Sequence, residues 1–234
     1  MELMVGETKL QELSHKHVLV VGMGGVGSFA AEFLVRAGIG TLTIIDGDCV
    51  DATNRNRQLP ALCSTQGQLK VNIMQARLLD INPELDIRAI DHFIEPDAFE
   101  TLLQNRPDYV LDAIDSISPK INCIRVAHQL AIPIVSSMGA GGKYDPTQLR
   151  VCDLSKTYNC PFAQQIRKQL KAFGITKGVK AVFSPEAPDK NSIIHTDGRN
   201  YKKSAYGTIS YMPAMFGATA ASVVLRDFLK VPIG

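Results

Sequence analysis

A glycine-rich turn between an apolar strand and a helix limits the possible folds more than any other part of the sequence. The run Val18–Gly22 is short and β-branched, and it leads into GMGGVG at positions 22–27. Apolar residues then recur at helical spacing along the following segment. Gly22, Gly24 and Gly27 satisfy G-x-G-x-x-G, a turn that lets backbone amides approach phosphate at a helix N-terminus. This context favours a nucleotide site over a purely structural turn, without saying which nucleotide binds.

The next strand-like run, Thr41–Asp46, ends in a carboxylate. Asp46 lies roughly 20 positions beyond the glycine turn, the spacing that the ribose-binding acidic residue has in nucleotide-binding βαβ units. An ionised carboxylate accepts hydrogen bonds from ribose hydroxyls. Asp46 is therefore predicted to hold the ribose.

Strand-like runs alternate with helical patterns over the first 137 residues, which predicts a doubly wound, Rossmann-like, mostly parallel sheet with helices on both faces. Ligands of such α/β folds bind at the carboxyl ends of the strands. The residues that follow each strand are therefore the candidates for a site. The predicted strands are Val18–Gly22, Thr41–Asp46, Ile87–Ile90, Tyr109–Ile114 and Ile132–Ser136.

The pattern changes after Ser137, where additional antiparallel strands are expected in the C-terminal part. The sequence shows no clear linker, so residues 1–234 are predicted to form a single nucleotide-binding domain. Residues 1–137 are its nucleotide-binding core, and residues 138–234 are its substrate and crossover region. The C-terminal predictions are strands at Leu149–Leu154 and Lys180–Phe183, helices at Pro161–Phe173 and Met212–Leu229, and a polar, mobile loop at Ser184–Ser204.

Basic residues between the second strand and the following helix indicate a triphosphate. Arg57 and Lys70 suit charge neutralisation at an α-phosphate under attack, whereas a hydride-transfer site has no need of them. A solvated basic turn is the competing interpretation, and it is favoured for Arg55 but not for Arg57.

Two carboxylates close the fourth strand. Asp115 is predicted at the strand tip, where a carboxylate beside a triphosphate can hold Mg²⁺ or its water ligands. Capping of the next helix, predicted to begin with Ser118 as its N-cap, is the alternative role for Asp115. Asp112 lies among apolar neighbours, and a buried structural role and a role in the site both stay open.

The combination GMGGVG, IIDGDCV, TNRNRQ, Lys70 and LDAIDS closely resembles the ThiF/MoeB superfamily of adenylating enzymes. The resemblance implies ATP and Mg²⁺ as cofactors, and it implies a residue-by-residue assignment of the site. In that assignment Gly25 contacts the nucleotide, Asp46 holds the ribose, Asp115 lies at the metal and reaction centre, and Asn54, Arg57 and Lys70 hold the triphosphate.

Two later stretches resemble one branch of that superfamily, which dehydrates threonylcarbamoyladenosine in tRNA. They are Gly139–Gln148, after the fifth strand, and Val182–Glu186. The branch implies that the substrate carboxylate is adenylated by ATP and that the carbamoyl group then closes a ring with loss of AMP. The alternative within the superfamily is adenylation of the C-terminal Gly-Gly of a ubiquitin-like sulfur carrier. An NAD-dependent oxidoreductase and a non-catalytic nucleotide-binding scaffold are more distant alternatives.

The five cysteines form no CxxC pair, so no structural zinc is expected, unlike in many sulfur-carrier activators. Cys152 and Cys160 are the nearest candidates for a thioester cysteine, and nothing around them suggests an activated thiol. Reduced thiols are typical of an intracellular protein. The apolar run Ile209–Leu225 is interrupted by polar residues and predicts a buried helix, so we expect a cytoplasmic protein without membrane insertion.

The implied partners are tRNA, a second copy of the chain in a homodimer, and a cysteine desulfurase system. The formal net charge of +2 gives no global reason to expect nucleic acid, so a tRNA site requires a local basic patch. The superfamily also implies an N-terminal arginine that reaches the partner's ATP, and Met1–Lys9 contains none. Two clusters are candidates for tRNA binding: Arg167, Lys168, Lys171, Lys177 and Lys180, and Arg199, Lys202 and Lys203.

Overall fold

The computed structural model describes residues 1–95, 98–195 and 204–232. Its α-helices are α1 Glu2–Val5, α2 Glu7–Ser14, α3 Gly27–Arg36, α4 Lys70–Ile81, α5 Ala98–Leu103, α6 Ile117–Gln129, α7 Pro161–Ala172 and α8 Tyr211–Phe228. Its strands are β1 His17–Val21, β2 Thr41–Ile45, β3 Asp86–Ile90, β4 Tyr109–Asp112, β5 Ile134–Ser137, β6 Arg150–Asp153, β7 Lys180–Phe183, β8 Ile193–His195 and β9 Ser204–Tyr206.

In the residues that the structure describes, seven strands form one sheet in the order β3-β2-β1-β4-β5-β7-β6. All neighbours are parallel except β6 and β7, which pair antiparallel. The strand order reverses between β1 and β4, which creates a crevice at the carboxyl ends of these two strands. This arrangement confirms the predicted doubly wound sheet and its antiparallel addition in the C-terminal part.

Helices cover both faces of the sheet, so β1 is buried on both sides. Val18 and Val20 pack into a core with α3, α4 and α8, whereas Leu19 and Val21 pack into a second core with α5, α6 and α7. A continuous apolar run, rather than an alternating one, is what a central parallel strand requires.

The C-terminal helix α8 is fastened to the sheet by a buried polar contact. The Tyr109 hydroxyl on β4 donates to Asp227 Oδ2 over 2.6 Å, and Lys180 on β7 pairs with the same carboxylate. The run Ile209–Leu225 thus lies largely in a helix against the sheet. Among the described residues, no helix is both long and apolar enough to cross a membrane.

Three local predictions were wrong. The helix after β4 is capped by Ser116, not Ser118, since the chain turns helical directly at Ile117. The segment Ser184–Ser204, predicted as a loop, contains β8, which pairs antiparallel with β9. The helical spacing of Leu69, Ile73 and Met74 predicts a helix around Gln66–Leu79, but this helix begins only at Lys70, because Leu69 keeps an extended backbone.

Candidate active site

The glycine turn folds back on itself between β1 and α3. Gly22 has φ +95°, a left-handed conformation that favours glycine, and its amide donates to the carbonyl of Ile45 on β2 over 2.7 Å. A Cβ on Gly27 would lie 1.7 Å from the carbonyl oxygen of Gly22, so only glycine fits there. The first and last glycines of the motif are therefore required by the turn itself.

The two middle glycines have different surroundings. A Cβ on Gly25 would meet Pro213 of α8 at 2.8 Å and the Arg57 carbonyl oxygen at 3.1 Å. Gly24 is less crowded, because a Cβ there would meet only the side-chain nitrogen of Gln58, at an ordinary 3.7 Å. The surrounding protein therefore does not require glycine at position 24. The open space beside Gly24 is room for a ligand.

Asp46, directly after β2, organises this turn through both of its carboxylate oxygens. Oδ2 accepts from the Met23 amide over 2.7 Å, and Oδ1 accepts from the Asp48 amide over 2.8 Å. Burial raises the pKa of Asp46, and the charge of Lys70 partly offsets that effect. Each oxygen keeps a further lone pair, so an ionised Asp46 can still accept two hydroxyl groups.

Lys70, the first residue of α4, is buried and paired with Asp48. Its Nζ lies 2.8 Å from Asp48 Oδ2, and the side chains of lysine and aspartate are 5% and 44% exposed. An ammonium group has three donors, so this contact leaves donors for an anion. Asp48 was not among the predicted site residues, although its place two positions after Asp46 was the available signal.

Arg57 extends from the turn that follows β2. The short 3-10 helix Ala52–Asn54 precedes it, with the Asn54 side chain accepting from the Asp51 amide over 3.2 Å. Arg57 Nη1 donates to the Thr53 carbonyl over 2.8 Å. Burial lowers the pKa of Arg57, and the nearby charge of Asp115 opposes that shift. The fold thus brings two predicted site residues from separate strands, Arg57 and Asp115, into electrostatic contact.

Arg55 differs from Arg57, as the sequence predicted. It is exposed, and its guanidinium donates to Gln66 over 2.8 Å. Gln58 was missed by sequence reasoning: its Oε1 is buried and has no hydrogen-bond partner in the described residues. A buried acceptor beside Gly24 that lacks a donor is a candidate contact for a ligand.

Asp112 is sealed inside the protein, which resolves the two roles left open for it. Its Oδ2 accepts from Lys120 Nζ and from the Ser136 hydroxyl, each over 2.6 Å, and lysine and aspartate side chains are both 0% exposed. Its Oδ1 accepts from the Ile114 amide over 2.9 Å. This network ties the end of β4 to α6 and β5, and so supports the turn that carries Asp115.

The two later stretches that resembled the tRNA-modifying branch meet in space. Both carboxylate oxygens of Glu186 accept backbone amides, from Tyr144 over 2.9 Å and from Asp145 over 3.0 Å. The buried Lys143 donates in return to the carbonyls of Ser184 and Glu186, over 3.0 and 2.6 Å. Burial lowers the pKa of this lysine. Two loops far apart in sequence thus form one wall beyond the carboxyl ends of β5 and β7.

Neither cysteine near the crossover region has the surroundings of an activated thiol. Burial raises the pKa of Cys152, which keeps it protonated, and Cys160 is buried. In the part of the chain that the structure describes, no three His, Cys, Asp or Glu side chains are grouped so as to hold a metal ion.

The family model for the ThiF family matches residues 1–232. The chain belongs to the ThiF family. Two relatives of this ThiF-family chain are close over almost their whole length. The tRNA threonylcarbamoyladenosine dehydratase of Bacillus subtilis is 41% identical over 236 residues, covering 98% of this chain and 93% of that protein. The second is Escherichia coli tRNA N6-threonylcarbamoyladenosine dehydratase, TcdA, whose crystal structure was solved in complex with ATP. Its sequence is 40% identical to this chain, the TM-score between the two structures is 0.89, and the match covers 98% of this chain and 92% of that one.

The sulfur-carrier branch of the family is more distant. The Escherichia coli sulfur carrier protein ThiS adenylyltransferase is 33% identical over 135 residues, and the match covers 57% of this chain and 53% of that protein. The dehydratases therefore match a larger share of this chain than the sulfur-carrier adenylyltransferase does.

Proposed function

We propose that this protein is an ATP-dependent tRNA threonylcarbamoyladenosine dehydratase that works through an acyl-adenylate. One observation carries the proposal: the chain shares 40% identity and a TM-score of 0.89 with a dehydratase solved in complex with ATP. The match includes the C-terminal loops as well as the nucleotide-binding half, since it covers 98% of this chain. The sulfur-carrier relative matches only 57% of the chain, so adenylation of a Gly-Gly carrier is the second candidate.

The residues around the glycine turn fit ATP chemically. Gly24 leaves space above the turn, and the buried Gln58 oxygen lacks a donor in the described part of the chain. Asp46 has lone pairs for ribose hydroxyls, and Lys70 and Arg57 supply positive charge. In the proposed assignment, Gly22, Gly24, Gly25 and Gly27 line the nucleotide, Asp46 holds the ribose, and Asn54, Arg57 and Lys70 hold the triphosphate.

The proposed reaction has two steps. A carboxylate oxygen of the threonylcarbamoyl group attacks the α-phosphorus of ATP, and pyrophosphate leaves. The carbamoyl group then attacks the activated carbonyl carbon, the ring closes, and AMP departs with the original carboxylate oxygen. The net change in the tRNA is loss of one water. Activation is necessary because a carboxylate cannot expel oxide, whereas AMP is a good leaving group.

Arg57 and Lys70 are proposed to stabilise the negative charge that develops at the α-phosphate. Both are partly or fully buried, and charge stabilisation by preorganised groups is stronger in such surroundings than in water. Asp115 is proposed to hold Mg²⁺, for which a strand-tip carboxylate beside phosphates is a suitable donor. When bound, the ion would neutralise phosphate charge.

The deciding experiment incubates the protein with Mg·ATP and tRNA, with and without the threonylcarbamoyl modification. We expect AMP and pyrophosphate only with modified tRNA, together with a tRNA mass lower by one water. If the carboxylate carries ¹⁸O, the label should appear in AMP. Turnover with a Gly-Gly carrier protein instead would support the second candidate, and no ATP chemistry with either would reject both.

A matched pair of variants tests the assigned arginine. Arg57→Ala should lower the rate of AMP formation by roughly 10²- to 10³-fold, since it removes a charge assigned to the transition state. Arg55→Ala removes the same charge two positions away, on an exposed side chain, and should leave the rate within about two-fold. Equal losses in both variants would contradict the assignment of Arg57.

Further parts of the proposal concern assembly and location. We propose that residues 1–234 act as one adenylation domain, with residues 1–137 as nucleotide-binding core and 138–234 as substrate region. We also propose a cytoplasmic homodimer that receives help from a cysteine desulfurase system. Sedimentation of the purified protein tests the dimer, because a monomer at micromolar concentration would exclude it. Co-purification with a desulfurase tests the partner.

A further inference from the structure

Two cavities lie on either side of the first turns of α7, outside the nucleotide site. Gln164 and Arg167 line both of them, so the cavities are joined along this helix. We call the cavity of about 580 Å³ the inner cavity and that of about 430 Å³ the outer cavity. Together they form a groove, which we call the α7 groove.

The inner cavity adjoins the active site. Its walls include Cys160 at the start of α7, Pro185 and Pro188 after β7, and Tyr206 at the end of β9. Tyr206 lies against Gly141, where a Cβ would meet its side chain at 2.8 Å. The walls therefore follow the carboxyl ends of β5 and β7, at the same edge of the sheet as the turn that carries Asp115.

A short stretch of chain connects the inner cavity to the nucleotide-binding residues. Gly207, next to Tyr206, accepts from the Gly142 amide over 2.8 Å. The following carbonyl, of Thr208, accepts from the Asn56 side chain over 2.8 Å, and Asn56 also accepts from Arg57 over 2.9 Å. The inner cavity is thus a few residues removed from the charge assigned to the α-phosphate.

The outer cavity has an apolar floor and a basic rim. Leu154, Leu170, Ile175 and Val179 are buried beneath it. Its rim carries Arg167, Lys168, Lys171 and Lys177.

The charge of this rim is uncompensated. Lys168, Lys171 and Lys177 are exposed, and none of them forms an ion pair in the described residues. Several basic side chains elsewhere are paired, for example Arg77 with Glu32 and Lys16 with Asp108. The acidic group of this cavity, Asp153, accepts from the amides of Ser155 and Gly178 and forms no ion pair with the lysines in the described residues, so its single charge offsets only part of the positive charge of the rim.

We propose that the α7 groove binds the RNA strand of the substrate, with the modified nucleoside in the inner cavity and the phosphates of flanking nucleotides on the rim of the outer cavity. This inference rests on the proposed function, because it names where that substrate lies. Nucleotides combine an apolar base with an anionic phosphate, which matches an apolar floor with a basic rim. In the inner cavity, Tyr206 offers an aromatic face to the base.

The remaining basic residues that the sequence suggested for tRNA binding do not line this groove in the described structure. Arg199, Lys202 and Lys203, the second cluster predicted from sequence, lie outside the described residues. Lys180, counted in the first cluster, is paired with Asp227. Of the first cluster predicted from sequence, the residues that line the outer cavity therefore remain: Arg167, Lys168, Lys171 and Lys177.

The test compares two triple variants of the full chain. Lys168→Ser, Lys171→Ser and Lys177→Ser together remove the exposed lysines of the groove, and Lys9→Ser, Arg88→Ser and Arg106→Ser remove three exposed basic residues elsewhere. Binding of modified and unmodified tRNA is measured at several salt concentrations, with thermal unfolding to verify the fold. The groove variant should bind tRNA roughly 10- to 100-fold more weakly. The slope of log K against log salt should fall by about 2 to 3, since each lost phosphate contact reduces it by about 0.7 to 0.9.

The control variant should bind tRNA as the unchanged protein does. Equal losses in both triple variants, or no measurable tRNA binding by the unchanged protein, would overturn the proposal. Competition by polyglutamate as strong as competition by unmodified tRNA would assign the groove to an acidic protein and would also overturn it.

The inner cavity has a separate test. Tyr206→Leu should raise KM for modified tRNA by about ten-fold, because stacking on an aromatic ring is lost. Tyr206→Phe keeps the ring, so its KM should equal that of the unchanged protein. If Leu and Phe behave alike, Tyr206 does not stack on the base.

The outcomes for the groove and for the enzyme are distinguishable. Failure of the unchanged protein to release AMP with modified tRNA would reject the proposed function, whereas the binding measurements would still decide the groove. Normal turnover by the groove variant at low tRNA concentration would reject the groove and leave the proposed function intact.

Discussion

Two lysine–aspartate pairs lie near strand ends in this protein, and they differ in one respect. Lys120 and Asp112 are both fully buried, with Ser136 and backbone groups satisfying their remaining hydrogen bonds. Lys70 is 2.8 Å from its partner, against 2.6 Å in the first pair, but Asp48 is 44% exposed. The first pair is sealed by protein on all sides, and the second is open to solvent at its aspartate.

The difference in exposure gives the two lysine–aspartate pairs different roles, although their side chains are chemically the same. A sealed ion pair cannot meet a ligand, and its stability depends on both partners remaining, because either charge alone would be buried without compensation. An open pair can exchange one of its contacts for a phosphate, and its aspartate can be hydrated when the lysine is lost. Substitutions should therefore affect folding at the first pair and nucleotide chemistry at the second.

The largest expected effect is at the sealed pair. Lys120→Met should lower the free energy of unfolding by about 3 to 5 kcal/mol, because Asp112 remains buried without its charge partner. Adding Asp112→Leu should recover at least half of that loss, since it removes the stranded charge. Urea unfolding of the single and double variants measures both values. A loss below about 1 kcal/mol in the single variant would show that water or another group reaches Asp112.

At the open pair of Lys70 and Asp48, we expect a small effect on stability and a large effect on the reaction rate. Lys70→Met should cost no more than about 1 to 2 kcal/mol of stability, because Asp48 is exposed enough to be hydrated. AMP formation with modified tRNA should nevertheless fall by roughly 10²- to 10³-fold. Asp48→Asn serves as the comparison, because it weakens the same pair and keeps the lysine charge. A rate as low in Asp48→Asn as in Lys70→Met would mean that the pair, not the charge, is essential.

The glycine turn contains a crowded position, Gly27, and an uncrowded one, Gly24. Gly27→Ala should destabilise the fold by about 1 to 3 kcal/mol or more, because the added Cβ collides with the Gly22 carbonyl. Gly24→Ala should leave the unfolding midpoint nearly unchanged, since the added Cβ meets only Gln58 at an ordinary distance. Its dissociation constant for ATP should rise about ten-fold, as measured by calorimetry. Unchanged ATP affinity in Gly24→Ala would place the nucleotide away from this residue.

The smallest effect concerns pH. Burial raises the pKa of Asp46, so this group favours the folded state at low pH and that contribution is lost as pH rises through its folded pKa. Ribose binding needs the ionised form and has the opposite dependence. Adenosine affinity should weaken as pH falls through the raised pKa, above the ordinary value of about 3.9. Adenosine is preferred to ATP because it has no phosphate groups that titrate, and the protonation of its adenine ring is common to the unchanged protein and to the control variant.

Asp46→Asn is the control for the pH experiment. This variant should bind adenosine weakly at every pH, and its affinity should show only the titration of adenine itself in the acidic range. A pH dependence that persists in Asp46→Asn would assign the titration to another group.

Local sequence patterns were sufficient for the nucleotide-binding half. The apolar run before Gly22, the helix after Gly27 and the carboxylate at Asp46 obey backbone rules that act over a few residues, and the structure has all three where they were predicted. Boundaries were less certain, as at Ser116 and Lys70, because a helix start depends on capping contacts that several neighbouring residues can provide.

Residues that depend on distant partners were missed. Lys120 on α6 has no local signal for burial, since it becomes buried only when β5 supplies Ser136. Gln58 is noticeable only because folding buries its side-chain oxygen without a donor in the described residues. The β8–β9 pairing was likewise not predicted, because each strand is only three residues long and the two are separated along the chain.

The sequence by itself determined the fold class and the glycine turn, and it predicted the charged residues that are assigned to the nucleotide site. Glycine at a left-handed turn and apolar periodicity along a strand are consequences of local sterics and burial, so they can be read without coordinates. Only the tertiary structure decided which of two similar aspartates is sealed and which is open, and that the loops at Lys143 and Glu186 form one wall beside the α7 groove. Those outcomes depend on which strand ends become neighbours, and that is set by the order of strands in the sheet.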